Sequence, residues 1–285
     1  MQYIKSPFNY IGNKYRTLPQ IEQWFPENIN TMLDLFCGGC DVSINTMAKR
    51  HLANDINTYL IQILQTFKTL GSEKVLAYVD QTIASRGLSK ENAEAYLKFR
   101  DEYNAQNPKS PIDLYILLCF SFNYQFRFNA NHDFNNPFGR NRSSFNPSIR
   151  HNLELMIKKL PAIEFSSIDF LHYDYSVLNS GDFLYADPPY LITCGSYNDG
   201  KRGFRGWSAE DEKALYHLLN DLNNKGIKFA LSNVTTHKGM QNKLLLDWIK
   251  KYDYNVHNVN FNYDNCNYHA ANRHYQTNEV LITNY

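Results

Sequence analysis

The apolar run Phe183-Leu184-Tyr185-Ala186 leads directly into Asp187-Pro188-Pro189-Tyr190. A short run of this kind reads as a buried strand, and it has to stop where two prolines remove backbone donors. The chain therefore delivers a carboxylate at the carboxyl end of a strand, where open α/β sheets place their ligand crevice. The prolines stiffen the turn and leave carbonyls available as acceptors. An acceptor-only carboxylate, a fixed carbonyl and an aromatic face form a socket for an exocyclic amino group on a planar base. The amine offers two hydrogens; the site offers two acceptors and a stacking surface. Asp187, Pro188, Pro189 and Tyr190 are thus the candidate catalytic residues.

A second strand of the same kind is read over residues 31–36, Thr-Met-Leu-Asp-Leu-Phe, before the turn Cys37-Gly38-Gly39-Cys40. A helix is predicted over 42–50, a strand over 51–54 and a helix over 59–70. A strand, glycine turn, helix and strand in succession suit a nucleotide-type cofactor, because glycine lets the backbone approach a ligand closely. Asp55 lies 21 residues beyond Asp34, near the spacing at which a carboxylate meets ribose hydroxyls; it is also placed to cap the helix that follows. Neither GxGxxG nor GxxxxGK[ST] occurs, which disfavours a pyrophosphate or triphosphate. S-adenosylmethionine, an adenosine cofactor without a phosphate chain, fits better. Upstream, Phe8-Asn9-Tyr10-Ile11-Gly12-Asn13-Lys14 precedes a helix predicted over 14–24. A glycine beside a lysine there can wrap an anion, although a plain turn with a solvated lysine is the commoner outcome.

Gly38 and Asp187 are 149 residues apart, far more than two further βα units need. The intervening chain reads as helices over 72–85, 89–105 and 112–123, then a polar, aromatic hairpin or irregular loop over 126–140. The expected organisation is a doubly wound α/β sheet of Rossmann-like type, formed by residues 1–70 and 146–285, with a mostly helical insert over 71–145. The second block predicts a helix over 147–160, a helix opened by a Ser208 to Asp211 capping box and ended by Gly226, strands over 227–231 and 279–283, and a helix over 243–250.

Lys and Arg number 29 against 28 Asp and Glu, so any affinity for nucleic acid has to come from local clusters. Two stretches qualify, 122–129 and 134–142, where aromatics interleave with Asn, Gln and Arg. Arginine reads guanine bidentately, and Asn or Gln reads adenine. Arg140, Arg142 and Arg150 are placed to hold phosphates. A third cluster, Lys201, Arg202 and Arg205 among glycines, suggests a loop that orders on a phosphate backbone. No window is apolar enough to span a bilayer, and the N-terminus lacks a signal peptide's apolar segment. The five scattered cysteines point to a reducing cytoplasm. The lone CxxC pair has no second pair or His cluster to complete a zinc site.

Taken in order, Tyr10 to Lys14, Asp34 to Gly39, Asn54-Asp55-Ile56-Asn57, Arg127 to Arg140, Asp187 to Tyr190, Ser232-Asn233 and the closing Glu279 to Tyr285 resemble the Dam-like N6-adenine DNA methyltransferases. The resemblance covers almost the whole chain. It departs at Cys40, where the family usually has glycine, at Tyr10, usually tryptophan, and at Asn13, usually a second glycine. It implies that the enzyme carries a methyl group from S-adenosylmethionine to N6 of a flipped-out adenine in duplex DNA. Tyr10, Lys14, Asp34, Phe36, Gly38, Asp55, Asp169, Phe170 and Asp187 are implied at the cofactor pocket. Asn123, Arg127, Asn135, Pro137, Arg140 and Arg142 are implied at the DNA, with Arg127 the guanine reader, and 71–145 becomes a target-recognition insert. The segment from Arg127 to Gly139 resembles that of GATC enzymes. A monomer is the default for the family, and a cognate restriction endonuclease is a possible partner. The competing readings are an enzyme for another planar amine or amide (cytosine N4, an RNA base or a protein glutamine) and a DNA-binding module without catalysis.

Overall fold

The computed structural model describes residues 3–193, 206–259 and 277–285. An eight-stranded sheet organises them. Its strands are β1 (Thr31–Asp34), β2 (Arg50–Asn54), β3 (Ile163–Ser166), β4 (Phe183–Ala186), β5 (Lys228–His237), β6 (Met240–Gln241), β7 (Asn255–Val259) and β8 (Thr277–Thr283). The order is β3-β2-β1-β4-β5-β8-β7, with β6 paired to β5. The first five strands of that order are parallel; β8 runs antiparallel between β5 and β7.

The chain winds outward from β1 through β2 to β3, then returns to build β4 and β5 on the other side. The direction of winding therefore reverses between β1 and β4, and a crevice opens at the carboxyl ends of those strands. Met32 stands beside Phe183 and Asp34 beside Tyr185, and the Leu35 N–H donates to the Tyr185 carbonyl at 3.0 Å. Two turns 149 residues apart in the sequence thus become neighbours.

The sheet is buried on both faces, which is why β4 reads as a continuous apolar run. Its side chains alternate. Phe183 and Tyr185 pack with Leu18, Ile21 and Phe25, while Leu184 and Ala186 pack with Leu215, Leu219 and Phe229. Burying each large side chain contributes about 1.5–3 kcal/mol. The short helix α1 (Leu18–Ile21) supplies Leu18 and Ile21, and α6 (Ala209–Asn224) supplies Leu215 and Leu219. As expected, α6 opens on a capping box in which Ser208 and Asp211 bond reciprocally, and Gly226, at φ 74°, follows its end.

The middle of the chain is helical. In α2 (Thr58–Arg86), Gly71 at φ 77°, ψ 167° separates the two predicted helices. Next come α3 (Ala93–Ala105), α4 (Pro111–Phe120) and α5 (Pro147–Ile157). Every α4 residue from Ile112 to Phe120 is buried, as a helix apolar on all sides requires. Phe67 and Val75 of α2, Tyr115 of α4, and Phe128 and Phe134 of the segment after α4 share one core. That segment is irregular and carries only two isolated bridges, Ser121–Phe138 and Phe128–Phe134.

Some expectations fail for identifiable reasons. The helix predicted over 42–50 is a series of turns. Only short turns form there, with the Ile44 N–H on the Cys40 carbonyl at 3.1 Å and the Thr46 N–H on the Val42 carbonyl at 3.0 Å. The Asn45 side chain then bonds the backbone of Ile4 and Asp41, which diverts the chain before the turn can propagate. The helix predicted from residue 14 starts at Leu18, because Pro19 is tolerated only in a first turn. Ser110 caps α4 and Asn92 caps α3, so those helices begin at Pro111 and Ala93. Strands β3 and β7 were not predicted; both are short and partly exposed, so neither shows a clean apolar pattern. Just before β7 lies α7 (Lys243–Tyr252), close to its expected position. Among the described residues no helix is long and apolar enough to cross a membrane.

Candidate active site at the sheet switch point

Every residue expected at the cofactor pocket, and all four of the Asp-Pro-Pro-Tyr stretch, line one cleft of about 220 Å³. The N-terminal segment reaches it because side chains staple it to the turn after β1. The Ile4 N–H donates to Asn45 Oδ1 at 2.7 Å and the Ser6 N–H to Asp41 Oδ1 at 2.8 Å. Tyr10 is thereby laid over Gly38. Gly38 has φ 45°, and a Cβ there would stand 2.9 Å from the Tyr10 ring, so both backbone and space demand glycine. Cys40 is also left-handed, at φ 63°, a conformation that costs a non-glycine residue about 1–2 kcal/mol. Its side chain is buried.

The floor of the cleft is acidic. Asp34 Oδ2 accepts from the Ser43 hydroxyl at 2.6 Å, while Asp34 Oδ1 is buried without a hydrogen-bond partner. Burial, with added repulsion from Asp187 and Asp55, pushes the Asp34 carboxyl up to about 7 against the Ser43 bond. Asp55 Oδ2 accepts the Gly38 N–H at 2.9 Å, and Oδ1 accepts the Asn57 N–H at 2.8 Å. Burial raises the Asp55 carboxyl, and these two donors oppose the rise. Asp55 does not cap α2: Asn57 does, accepting from the Leu60 N–H.

An aromatic wall closes one side. Phe36 lies 5.6 Å from Phe170, and Trp207 meets both rings, at 5.7 Å and 5.4 Å between centroids. The Trp207 indole N–H donates to Glu212 of α6. The sequence singled out neither Trp207 nor Glu212. The position of Trp207 immediately before Ser208, the first residue of the α6 capping box, is the one signal that it is held rather than free in a loop.

Each oxygen of the Asp187 carboxylate has a partner. Lys14 Nζ lies 2.6 Å from Oδ2, and the Tyr190 hydroxyl donates toward Oδ1 at 2.9 Å. Glu279, at the start of β8, joins the cluster: its Oε1 is 3.6 Å from Lys14 Nζ and 3.0 Å from the Tyr190 hydroxyl. Lys14 also donates to the Gly12 carbonyl at 2.9 Å and lies 5.1 Å from the Tyr190 ring centre. So Lys14 is buried and ion-paired, not the solvated lysine of a plain turn. Burial works against its charge, but Asp187 and Glu279 outweigh burial and hold its pKa above the ordinary value. Burial pushes the Asp187 carboxyl up, with Lys14 opposing and Glu279 adding. The sequence placed Glu279 in a closing motif and assigned it no partner.

Six of the candidate DNA residues, between Asn123 and Arg142, fall on one irregular loop. Arg127, Pro137, Arg140 and Arg142 are exposed; Asn123 and Asn135 are partly buried. The loop is shaped from within by Asn136, whose amide donates to Ser121 Oγ and to the carbonyls of Phe122 and Gln125. Asn123 and Tyr124 are both left-handed, at φ 55° and 56°. The Asn9 amide donates to the Asn123 carbonyl at 3.0 Å, and Phe126 lies 6.2 Å from Tyr10, so the loop begins at the rim of the cleft. The Arg142 guanidinium lies 5.5 Å from the Phe122 ring centre. Arg150 is already paired with Asp80 through two bonds. Lys201, Arg202 and Arg205 lie outside the described residues.

Comparison with known proteins gives a single family. Residues 10–265 match the D12 class N6 adenine-specific DNA methyltransferases. The chain is 49% identical over 285 residues, 99% of its length, to the type II methyltransferase M.FokI of Planomicrobium okeanokoites. It is 49% identical over 286 residues to the modification methylase StsI of Streptococcus sanguinis. It spans 43% of the length of each of those relatives. It is also 28% identical over 243 residues to the DNA adenine methylase of Vibrio cholerae, covering 83% of this chain and 84% of that one. With the family's cofactor turn and its Asp-Pro-Pro-Tyr stretch meeting in one cleft, the chain belongs to the D12 class of N6 adenine-specific DNA methyltransferases.

Proposed function

We propose that this chain methylates N6 of an adenine flipped out of duplex DNA, with S-adenosylmethionine as the donor. The observation that carries the reading is the meeting of Asp187 with Asp34, Gly38 and Asp55 in one cleft at the point where the strand order reverses. The residues present fit the cofactor. Asp34 Oδ1 is a buried acceptor without a partner and suits a cationic amino group. Asp55 suits ribose hydroxyls, and Phe36, Asp169 and Phe170 suit an adenine. Tyr10 and Gly38 shape the wall between them, with the stem of Lys14 beside it. When bound, the cofactor supplies an electrophilic methyl group on sulfur.

The protein's own part is to prepare the nitrogen. Adenine N6 is a weak nucleophile because its lone pair is delocalised into the ring, and a stacked base cannot reach the cleft. Asp187 and the Pro188 carbonyl accept the two N6 hydrogens, which favours a pyramidal nitrogen with its lone pair exposed. Pro189 fixes the turn and Tyr190 stacks on the base. Positive charge develops on N6, and the Asp187 carboxylate stabilises it. The carboxylate favours adenine over cytosine N4 or glutamine chemistry.

Labelled-methyl transfer to duplex DNA, RNA and protein tests the reading; incorporation into RNA or protein alone would overturn it. GATC is the first duplex to try, on the resemblance of residues 127–139. A randomised duplex library in the same assay identifies the methylated sequence if it differs. Arg127→Ala should lower kcat/KM for the preferred sequence about 5- to 150-fold, the worth of a bidentate base contact, while leaving S-adenosylmethionine affinity unchanged. Arg140 and Arg142, with Lys201, Arg202 and Arg205, are proposed to hold phosphates; Asn123, Asn135 and Pro137 are proposed to shape the recognition surface. Activity as a monomer, a cognate endonuclease and a cytoplasmic location belong to the same proposal.

A pH effect follows from Asp34. Its carboxyl is raised to about 7, so it is mostly protonated at pH 6 and must ionise to receive a cation. Cofactor binding at pH 6 should therefore release about one proton, and the release should fall away as the pH rises through 7. Calorimetry in two buffers of different ionisation enthalpy reads this directly, and Asp34→Asn should abolish the release.

A further inference from the structure

We propose that Glu279 is a positioning residue that receives the Lys14 ammonium when the target amine takes Asp187. The inference rests on the reading of the cleft given above. At rest both Asp187 oxygens are occupied, one by Lys14 Nζ at 2.6 Å and one by the Tyr190 hydroxyl at 2.9 Å. Each oxygen keeps a second lone pair, but an incoming amine would have to share the carboxylate with a buried ammonium. Lys14 has nowhere to go in water, since its side chain is only 6% exposed. An ammonium left buried without an anion is strongly disfavoured. An ammonium that stayed on Asp187 would face the positive charge developing on N6, and like charges in a buried site oppose each other.

Glu279 resolves both problems. Its Oε1 lies 3.6 Å from Lys14 Nζ, so a movement of about 1 Å makes a full charge-assisted bond. The Gly12 carbonyl, 2.9 Å from Nζ, keeps the lysine anchored during the shift. The same Glu279 oxygen lies 3.0 Å from the Tyr190 hydroxyl, so the ring retains a partner after Asp187 is claimed by the base. Glu279 itself is held by the sheet, in register with Val234 on one side and Val259 on the other, and it is 4% exposed. It does not line the cofactor cleft. Lys14 thus guards the acceptor carboxylate at rest and withdraws to Glu279 when the base arrives.

A double-mutant cycle tests this with Glu279→Gln, Lys14→Met and the pair together. Single-turnover methyl transfer is measured on the preferred duplex, alongside S-adenosylmethionine binding by calorimetry. Glu279→Gln should slow transfer by about 3- to 100-fold, the range of couplings within one network, with cofactor affinity within about twofold of the parent. In the Lys14→Met background the same substitution should change the rate less than about twofold, because no ammonium remains to be received. Glu279→Asp, which keeps the charge, should recover part of the loss; it also carries the cycle if Glu279→Gln does not fold. Equal losses from Glu279 substitution in both backgrounds would overturn the proposal, as would an unchanged rate in Glu279→Gln. Asp187→Ala separates this from failure of the underlying reading: if that variant keeps the parental rate the catalytic assignment falls, whereas an inactive Asp187→Ala beside an unaffected Glu279→Gln removes only the role of Glu279.

Discussion

Asp187→Asn should lower kcat by about 10²–10³, the usual effect of removing one group that stabilises transition-state charge, while S-adenosylmethionine still binds. On the proposed reading the carboxylate accepts from the amine and offsets its developing charge; an amide keeps the size and loses the charge. The substitution also removes the anion that Lys14 contacts at 2.6 Å, leaving Glu279 as the nearest carboxylate to the ammonium, at 3.6 Å. Cofactor binding persists because Asp34, Gly38 and Asp55 stand on β1, β2 and their turns, not on β4. Single-turnover rates and calorimetry on the same preparation decide the matter. An unchanged kcat would remove Asp187 from the chemistry, and a lost cofactor site would show that the residue serves binding instead.

Glu212→Ala should destabilise the fold by about 3–5 kcal/mol, as expected when a buried acceptor shared by four donors is removed, each unmet donor costing about 1–3 kcal/mol. Glu212 is fully buried. It accepts from the Trp207 indole and the Tyr216 hydroxyl, and from the amides of Asn233 at 2.9 Å and Asn242 at 3.1 Å. Alanine leaves these donors facing one another in an apolar surround. Urea unfolding should show a lower midpoint at an unchanged slope. Cofactor affinity should fall as well, since Trp207 loses the bond that holds it against Phe36 and Phe170. A loss below about 1 kcal/mol would mean that the neighbours satisfy one another without the carboxylate.

The elements legible in the chain were those with strong local signals. Phe183–Ala186 is apolar and stopped by prolines, and it proved to be β4. Ser208 and Asp211 sit at capping-box spacing, and α6 starts there. Gly71 divides α2 as the two predicted helices required. The candidate cofactor residues were named from motif spacing and resemblance, and they line a common cleft. Where long-range bonds override local preference, the reading failed. Residues 42–50 look helical, yet Asn45 bonds Ile4, 41 residues away, and the helix does not propagate. Short half-exposed strands such as β7 carry no periodicity to detect.

Spacing and residue type were enough to identify the two turns, the carboxylate behind its prolines and the family, because those are properties of a few adjacent residues. The partner of each charge was decided by the sheet. Winding that reverses between β1 and β4 sets Asp34 beside Asp187, and β8 inserted next to β5 carries Glu279 to Lys14 and Tyr190, 265 and 89 residues away along the chain. Side chains so distant in sequence exert no force on one another until backbone pairing brings them within a few ångströms, and at that range burial and charge set which of them hold a proton and which accept a bond.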